Sequence, residues 1–301
     1  MTDSISALTA GVVDYAGLFP PAALAMAPAV QAYADYFTDP HRTMLGRFVV
    51  PVARLAEFDR VAAEHLPRGE RSQPWEITAL VGPDVDADVQ EILKFNDRHW
   101  PGAELGHAII DSVEIKASST AEIGAAMSRM PEPLRAFFEI PVEQDPAELI
   151  REIKRSGGNA KIRTGGVTTD AFPSADAVAR FLERCRESGV AFKATAGLHH
   201  PIRAEYRLTY EPVPPRGTMY GYLNLLIAAT FAWMGSGSSL IRGALVEERA
   251  HDFVFSDTEV VYRGHSIPVA KIRDARKSFA MSFGSCSFRE PVDDLIELGL
   301  L

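Results

Sequence analysis

The chain has 301 residues, of which 47% are hydrophobic and 24% charged, and its formal net charge at pH 7 is −9. This length and composition are ordinary for a globular protein. Without a run of basic residues, the negative charge argues against nucleic acid or an anionic membrane as a partner. Cys185 and Cys286 are the only cysteines, so a disulfide scaffold or a zinc ribbon is not expected.

The N-terminal sequence lacks the basic residues and the long apolar core of a signal peptide. The longest apolar stretch, residues 222–234, is too short and too interrupted to span a bilayer. We therefore expect a soluble cytoplasmic protein.

Strand and helix patterns alternate through the first two thirds of the chain. Apolar segments predict seven strands at 12–21 (ending in a Pro-Pro turn), 47–51, 75–82, 108–116, 137–142, 160–164 and 191–195. Helical spacing predicts six helices at 22–37, 52–65, 84–100, 119–130, 145–156 and 174–189. This alternation predicts a parallel sheet, and the number of units favours a closed (β/α)8 TIM barrel formed by residues 1–301 as a single α/β domain.

The regular alternation ends after Pro201. We predict a loop over 203–217, two helices reaching to Arg249, a small hairpin with Arg263 and Gly264 in its turn, an eighth strand within 278–287 and a terminal helix. We interpret 201–277 as an insertion between strands 7 and 8. Such a segment suits a lid or the contact surface of a homo-oligomer.

Two lysines interrupt consecutive strands, each just before a Thr/Gly turn. Lys161 lies in K-I-R-T-G-G and Lys193 in K-A-T-A-G. A lysine inside a strand that is covered on both faces is costly, because such strands are normally continuous apolar runs. The pair therefore indicates a functional site.

Alternation of side chains along each strand places further charges near these lysines. Glu114 and Lys116 share a face of the fourth strand, Lys161 and Arg163 share a face of the sixth, and Glu139 and Lys193 are expected on neighbouring strand ends. Active sites of TIM barrels lie at the carboxyl ends of the strands. Crowded cations lower one another's proton affinity, and a neutral lysine attacks a carbonyl carbon to form a Schiff base. A neighbouring carboxylate then moves protons.

The two lysine strands resemble those of the class I deoxyribose-phosphate aldolase family. That family has Lys-x-Ser-Thr-Gly in its sixth strand and Lys-Ala-Ser-Gly-Gly in its seventh, where this chain has K-I-R-T-G at 161–165 and K-A-T-A-G at 193–197. Residues 13–18, 80–83, 112–115 and 138–140 resemble its first, third, fourth and fifth strands in the same order, and G-S-C-S at 284–287 resembles its Gly-Thr-Ser-Ser.

The resemblance implies a metal-independent carbon–carbon lyase without a cofactor, acting on a small carbonyl substrate. It makes Lys161 the Schiff-base lysine, Lys193 the lysine that tunes it and Glu114 the proton-relay acid. The predicted substrate-binding residues are Asp14, Lys116, Glu139, Arg163, Thr164, Gly165, Thr195, Gly197, His199, Gly284 and Ser285.

Three departures from the family pattern affect the expected substrate. Glu114 replaces an Asp, Arg163 replaces a small Ser, and Ala196 replaces a Gly that lets backbone amides approach a phosphate. We therefore expect a substrate other than a sugar phosphate. One such substrate would carry a carboxylate that pairs with Arg163.

Two other functions fit the same residues. Glu114, Glu139 and His199 are ligand types for a divalent metal, which would make the protein a metal-dependent lyase, isomerase or hydrolase. The lysines also suit buried ion pairs in a non-catalytic barrel that binds an anion or a partner protein.

Overall fold

The structure is a computed structural model that describes residues 1–301. Its strands are β1 (Val13–Tyr15), β2 (Leu45–Pro51), β3 (Trp75–Leu80), β4 (Ala108–Lys116), β5 (Arg135–Glu139), β6 (Asn159–Arg163), β7 (Phe192–Thr195), β8 (Ala204–Arg207), β9 (Arg216–Met219), β10 (Phe253–Phe255), β11 (Glu259–Tyr262), β12 (His265–Pro268) and β13 (Ala280–Ser285). Its α-helices are α1 (Asp3–Thr9), α2 (Met26–Phe37), α3 (Leu55–Ala62), α4 (Val85–Arg98), α5 (Thr120–Met127), α6 (Ala147–Ser156), α7 (Ala175–Ser188), α8 (Tyr222–Trp233), α9 (Ser238–Val246), α10 (Val269–Ser278) and α11 (Arg289–Glu297).

Eight parallel strands close into a barrel in the order β1, β2, β3, β4, β5, β6, β7 and β13, with β13 returning to β1. Helices alternate with these strands, so the predicted (β/α)8 barrel is confirmed. The strands carry apolar side chains such as Phe48, Ile77, Phe138 and Ile162, all of which are fully buried. Continuous apolar strands are typical of a parallel sheet that helices cover.

Most predicted elements of the first two thirds lie within a few residues of their predicted bounds. Local chemistry sets several helix ends. The Ser119 and Ser174 hydroxyls accept backbone hydrogen bonds at the starts of α5 and α7, and Gly157 and Gly189 end α6 and α7 in the left-handed conformation. The short helix α1, which packs against α10, was not predicted.

The predicted loop at 203–217 is wrong, because β8 and β9 pair there as an antiparallel hairpin. The predicted hairpin further along is confirmed and forms the three-stranded sheet β10–β11–β12.

An insertion spanning the whole of 201–277 is not confirmed. The helix α8 is buried along most of its length and packs against α7, α10 and β13. It therefore occupies the ring of helices around the barrel, in the place of the barrel's seventh helix. The β8–β9 hairpin and the β10–β12 sheet are additions to the regular pattern. A role for this segment as a lid or oligomer contact stays a prediction.

None of the helices has both the length and the apolar character needed to cross a lipid bilayer.

The turns that follow the two lysine strands touch one another. The Cα atoms of Gly165 and Gly197 approach so closely that a Cβ on Gly197 would lie 3.0 Å from Cα of Gly165 and 2.8 Å from the Phe172 ring. Ala196 and Gly197 both have positive φ angles, of 63° and 70°. Ala196 thus keeps the backbone conformation that glycine favours.

We expect Gly197→Ala to destabilise the protein by about 2–4 kcal/mol, because it adds a steric clash to left-handed strain. Gly157→Ala is the matched control, since Gly157 also has a positive φ but no atom lies near its missing Cβ. The control is expected to lose only about 1–2 kcal/mol, from the backbone strain alone. Urea unfolding measures both values, and equal losses would contradict the close packing of the two turns.

Candidate active site

A cavity opens at the carboxyl ends of the barrel strands, and we call it the mouth cavity. Its volume is about 640 Å³, and its lining includes Glu114, Lys116, Glu139, Lys161 and Arg163. Apolar residues also line the cavity, among them Phe19, Pro20, Pro21, Val49, Leu80, Val81, Pro83, Ile115 and Val167. A concave site with few polar groups and apolar walls is typical of small-molecule binding.

Lys161 is a buried amine that reaches the mouth cavity. Its Nζ lies 2.6 Å from Oε2 of Glu114, to which it donates a hydrogen bond. The same Nζ lies 2.8 Å from Oε2 of Glu139, in an ion pair without hydrogen-bond geometry. Only 5% of the residue is exposed, yet it lines the cavity. A small molecule in the cavity would therefore meet this amine.

Lys193 is more enclosed and does not line the mouth cavity. Its Nζ lies 2.7 Å from Oδ2 of Asp14 and 2.8 Å from Oε1 of Glu114, and it donates a hydrogen bond to the Thr78 hydroxyl at 3.3 Å. The ammonium also lies over the Phe137 ring, 5.1 Å from the centroid. Burial by itself would lower the pKa of Lys193, but Asp14 and Glu114 outweigh burial and raise that pKa. Lys193 is thus a fixed cation, and the expected lowering by neighbouring cations does not occur there.

Glu114 bridges the two lysines with one carboxylate oxygen on each. Burial would raise its pKa, but the ammonium groups of Lys193 and Lys161 outweigh that effect and lower the pKa to about 2. Glu139 is affected in the same direction: burial would raise its pKa, and Lys161 together with Arg163 lowers it.

Strand register explains why these side chains meet. Glu139 of β5 is paired with Lys161 of β6, which is paired in turn with Lys193 of β7. The expectation that Glu139 and Lys193 are on neighbouring strands is wrong, because β6 lies between β5 and β7. Glu139 therefore contacts Lys161, and Lys193 is neutralised by Asp14 and Glu114 from other strands.

Two further cations lie at the rim of the mouth cavity. Arg163 has about half of its side chain exposed, and its contacts to Glu139 Oε1 and to the carbonyl of Gly165 are both long, at 3.5 Å. Lys116 is exposed and lines the cavity without forming an ion pair. These two side chains leave donors free to bind an anionic group.

Nine of the fourteen predicted site residues line the mouth cavity, and five, among them Lys193, do not. Those that line it are Glu114, Lys116, Glu139, Lys161, Arg163, Thr195, Gly197, His199 and Gly284. The other four predicted site residues, Asp14, Thr164, Gly165 and Ser285, lie outside the lining. Two of these four, Asp14 and Thr164, hold parts of the site in place through the contacts described next, and a substrate contact for all four stays a prediction.

Asp14 and Thr164 illustrate this support. Asp14 is fully buried, and its Oδ2 accepts a hydrogen bond from the Ser282 hydroxyl at 2.7 Å while contacting Lys193. Thr164 donates its hydroxyl to the carbonyl of Ala196 at 2.7 Å, which ties the sixth-strand turn to the seventh.

Sequence reasoning missed Thr78, Phe137 and Ser282, which surround the Lys193 ammonium and its Asp14 partner. All three are ordinary strand residues, and Thr78 is 115 residues from Lys193. Residues 19–21 lie in a turn and also form part of the cavity lining, a role that the sequence did not indicate.

The predicted metal-binding residues do not form a set of ligands. No group of three or more His, Cys, Asp or Glu side chains is arranged to hold a metal ion. His199 is hydrogen-bonded through Nδ1 to Glu290, while Glu114 and Glu139 contact Lys161. Cys286 lines the cavity, and burial is the main cause that raises the pKa of its thiol to about 11.

Comparison of the chain with protein-family models, with curated proteins and with solved structures gives no match.

The lowered pKa of Glu114 predicts a specific loss of stability in acid. A carboxylate whose folded-state pKa is depressed stabilises the fold above its unfolded pKa, and this contribution is lost as the pH falls through the folded-state pKa. For Glu114 that window runs from 4.5 to about 2. We expect the group to contribute on the order of 3 kcal/mol at neutral pH.

The measurement is the free energy of urea unfolding between pH 7 and pH 3. Glu114→Gln should reduce the acid-induced loss, whereas Glu104→Gln, at an exposed position, should keep it. Should the Glu114 variant fail to fold, the ¹³C shift of the Glu114 carboxyl in the wild type gives the same information. Titration of that carboxyl at 4.5 or above would contradict the bridge between the lysines.

Proposed function

We propose that the protein is a class I aldolase-type carbon–carbon lyase in which Lys161 forms a Schiff base with a small carbonyl substrate. One observation carries the proposal: Lys161 is a buried amine at an open cavity, and Glu114 links it to a second lysine that the cavity does not reach. The resemblance of both lysine strands to the deoxyribose-phosphate aldolase family supports the same assignment. A purely structural ion pair would not need a cavity at Lys161.

Schiff-base formation requires Lys161 to lose a proton before it attacks. The carboxylates of Glu114 and Glu139 lie within direct reach of its Nζ and are the acceptors. The amine then adds to the carbonyl carbon, the electrons of the C=O π bond move to the oxygen, and a proton passes from the nitrogen to that oxygen, which gives a carbinolamine whose nitrogen is neutral. Because the Lys161 nitrogen no longer carries a positive charge, the proton affinity of Glu114 and Glu139 rises at this stage. A protonated carboxyl is then available to donate to the departing hydroxyl, which leaves as water and gives the iminium.

Lys193 favours the ionised form of Glu114 during these proton transfers. Its charge remains beside Glu114 throughout, because Asp14 compensates it from the other side. Glu114 thus contacts a cation even when Lys161 is neutral, which favours return of its proton. Lys193 is therefore a positioning residue that tunes Glu114.

The rim cations indicate a substrate with an anionic group. Arg163 lies two residues beyond Lys161 on the same face of β6, and Lys116 lies two residues beyond Glu114 on β4. A ketone bound at Lys161 can place a carboxylate or phosphate between these donors. We favour a carboxylate, since the planar guanidinium of Arg163 matches its two oxygens.

Reductive trapping tests the Schiff base. The protein is incubated with sodium cyanoborohydride and acetone, pyruvate or hydroxyacetone phosphate, and the product is examined by intact mass and peptide mapping. We expect one adduct, on Lys161, and a loss of labelling of at least about tenfold in Lys161→Arg, which keeps the charge but removes the nucleophile.

Lys94→Arg is the control, because Lys94 is an exposed lysine paired with Glu91 on α4. It should be labelled like the wild type. Equal labelling of the Lys161→Arg variant would show that the nucleophile has been assigned to the wrong residue.

The anionic group is tested by Arg163→Gln. We expect the half-saturating concentration of pyruvate in the trapping reaction to rise about 10–100-fold, as for loss of a charge-assisted hydrogen bond, while that of acetone changes little. Hydroxyacetone phosphate in place of pyruvate separates phosphate from carboxylate. Arg207→Gln, at an exposed position of β8, is the control. A similar change for acetone and pyruvate would contradict recognition of the anion by Arg163.

A further inference from the structure

His199 forms a second polar centre at the mouth cavity, on the loop that follows β7. The residue is 6% exposed and lines the cavity. Its Nδ1 lies 2.9 Å from Oε2 of Glu290, in the first turn of α11. Its Nε2 makes no hydrogen bond with any protein atom. The histidine is therefore held at one nitrogen and free at the other.

Glu290 is anchored from several sides. Its Oε2 also accepts a hydrogen bond from the Tyr210 hydroxyl at 2.8 Å, and its backbone N–H donates to the Ser287 hydroxyl at 3.1 Å. Burial would raise the pKa of Glu290, but His199 and Tyr210 outweigh burial and lower it. Glu290 is thus an ionised, fixed acceptor.

A carboxylate at Nδ1 fixes the tautomer of a neutral imidazole. The proton resides on Nδ1, and Nε2 becomes the lone-pair nitrogen that accepts a proton from a substrate. The carboxylate also stabilises the imidazolium formed after transfer. This arrangement is the base-and-orienter pair of general acid–base catalysis.

We propose that His199, oriented by Glu290, is the acid–base group of the carbon–carbon bond step. This inference rests on the proposed function. In the cleavage direction, Nε2 takes the proton of the hydroxyl on the carbon β to the iminium carbon. The O–H electrons form the aldehyde C=O bond, the C–C bond breaks to give the enamine double bond, and the iminium nitrogen takes the π pair. In the addition direction, the imidazolium returns the proton to the aldehyde oxygen.

The carboxylates beside Lys161 are less suited to this step. Glu114 and Glu139 are both in contact with the Lys161 Nζ, where Schiff-base formation needs them. The aldehyde oxygen develops two carbons away from the iminium carbon. His199 lies on the loop after β7, whereas these carboxylates are in β4 and β5, so the two sets of proton transfers use different groups.

The neighbouring histidine provides a matched control. His200 also binds a carboxylate through Nδ1, at 2.6 Å from Oδ2 of Asp294, and its ring stacks on Tyr206. It does not line the mouth cavity. His199 and His200 therefore share chemistry and local sequence but differ in access to a substrate.

Three reactions with the full-length protein separate the steps. Trapping of pyruvate by cyanoborohydride reports the Schiff base, and exchange of the pyruvate methyl protons with deuterium oxide, followed by NMR, reports the enamine. Addition of pyruvate to acetaldehyde reports the new C–C bond. Acetone and hydroxyacetone phosphate are run in parallel as donors.

We expect His199→Gln to lower the addition rate about 10²–10⁴-fold, the range of general acid–base catalysis, and to leave trapping and methyl exchange within about threefold. Glu290→Gln should lower addition by about tenfold or more, again without an effect on exchange, because it weakens the orientation of the imidazole. His200→Gln should leave all three reactions within about threefold.

Two results would overturn the role of His199 while leaving the Schiff base intact. The first is an unchanged addition rate in His199→Gln. The second is a parallel decrease of trapping, exchange and addition in that variant, which indicates structural damage. Absence of trapping and exchange in the wild type with all three donors would refute the Schiff base itself, and the role of His199 with it.

Discussion

The carboxylate of Glu114, shared between two buried lysines, is the interaction on which the site depends. Without it, the two ammonium groups of neighbouring strands would keep only one carboxylate each, Glu139 for Lys161 and Asp14 for Lys193. An uncompensated buried charge destabilises a protein strongly, so the lysines and their carboxylates must be retained together. The cluster of Asp14, Glu114, Glu139, Lys161 and Lys193 draws one residue from each of five barrel strands, and the closed barrel is what brings them within reach.

The two lysines are alike in sequence but unlike in access. Lys193 is enclosed by Asp14, Glu114 and Thr78, while Lys161 has its carboxylates on the side of the mouth cavity. In our proposal, this difference in access gives the two lysines different roles. A permanently charged lysine holds the shared carboxylate, and a lysine that exchanges its proton meets the carbonyl. Arg163 and Lys116 add two cations at the rim, so the cavity lining carries three cations, these two and Lys161, against the carboxylates of Glu114 and Glu139.

Much of the barrel follows from the sequence, because alternating apolar strands and capped helices are local signals. The lysines are also visible locally, since charge is costly in such strands. Other features depend on contacts between distant segments. Glu290 is 91 residues from His199 in sequence. In a terminal amphipathic helix, a glutamate does not stand out as a candidate site residue. The placement of α8 in the helix ring, the β8–β9 hairpin and the unequal access of the two lysines likewise require the closed barrel. The adjacency of Glu139 and Lys193 was mispredicted, because the order of strands in the barrel places β6 between the strands that carry them.

Exchange of the carbonyl oxygen with solvent is the most direct test of the central claim, that Lys161 forms a Schiff base. Formation and hydrolysis of an iminium replace the carbonyl oxygen by one from water, without a reductant or an acceptor aldehyde. We expect the wild-type protein to accelerate loss of ¹⁸O from labelled acetone or pyruvate above the uncatalysed rate, and Lys161→Arg to abolish the acceleration. Equal acceleration by wild type and Lys161→Arg, or none by the wild type, would contradict it.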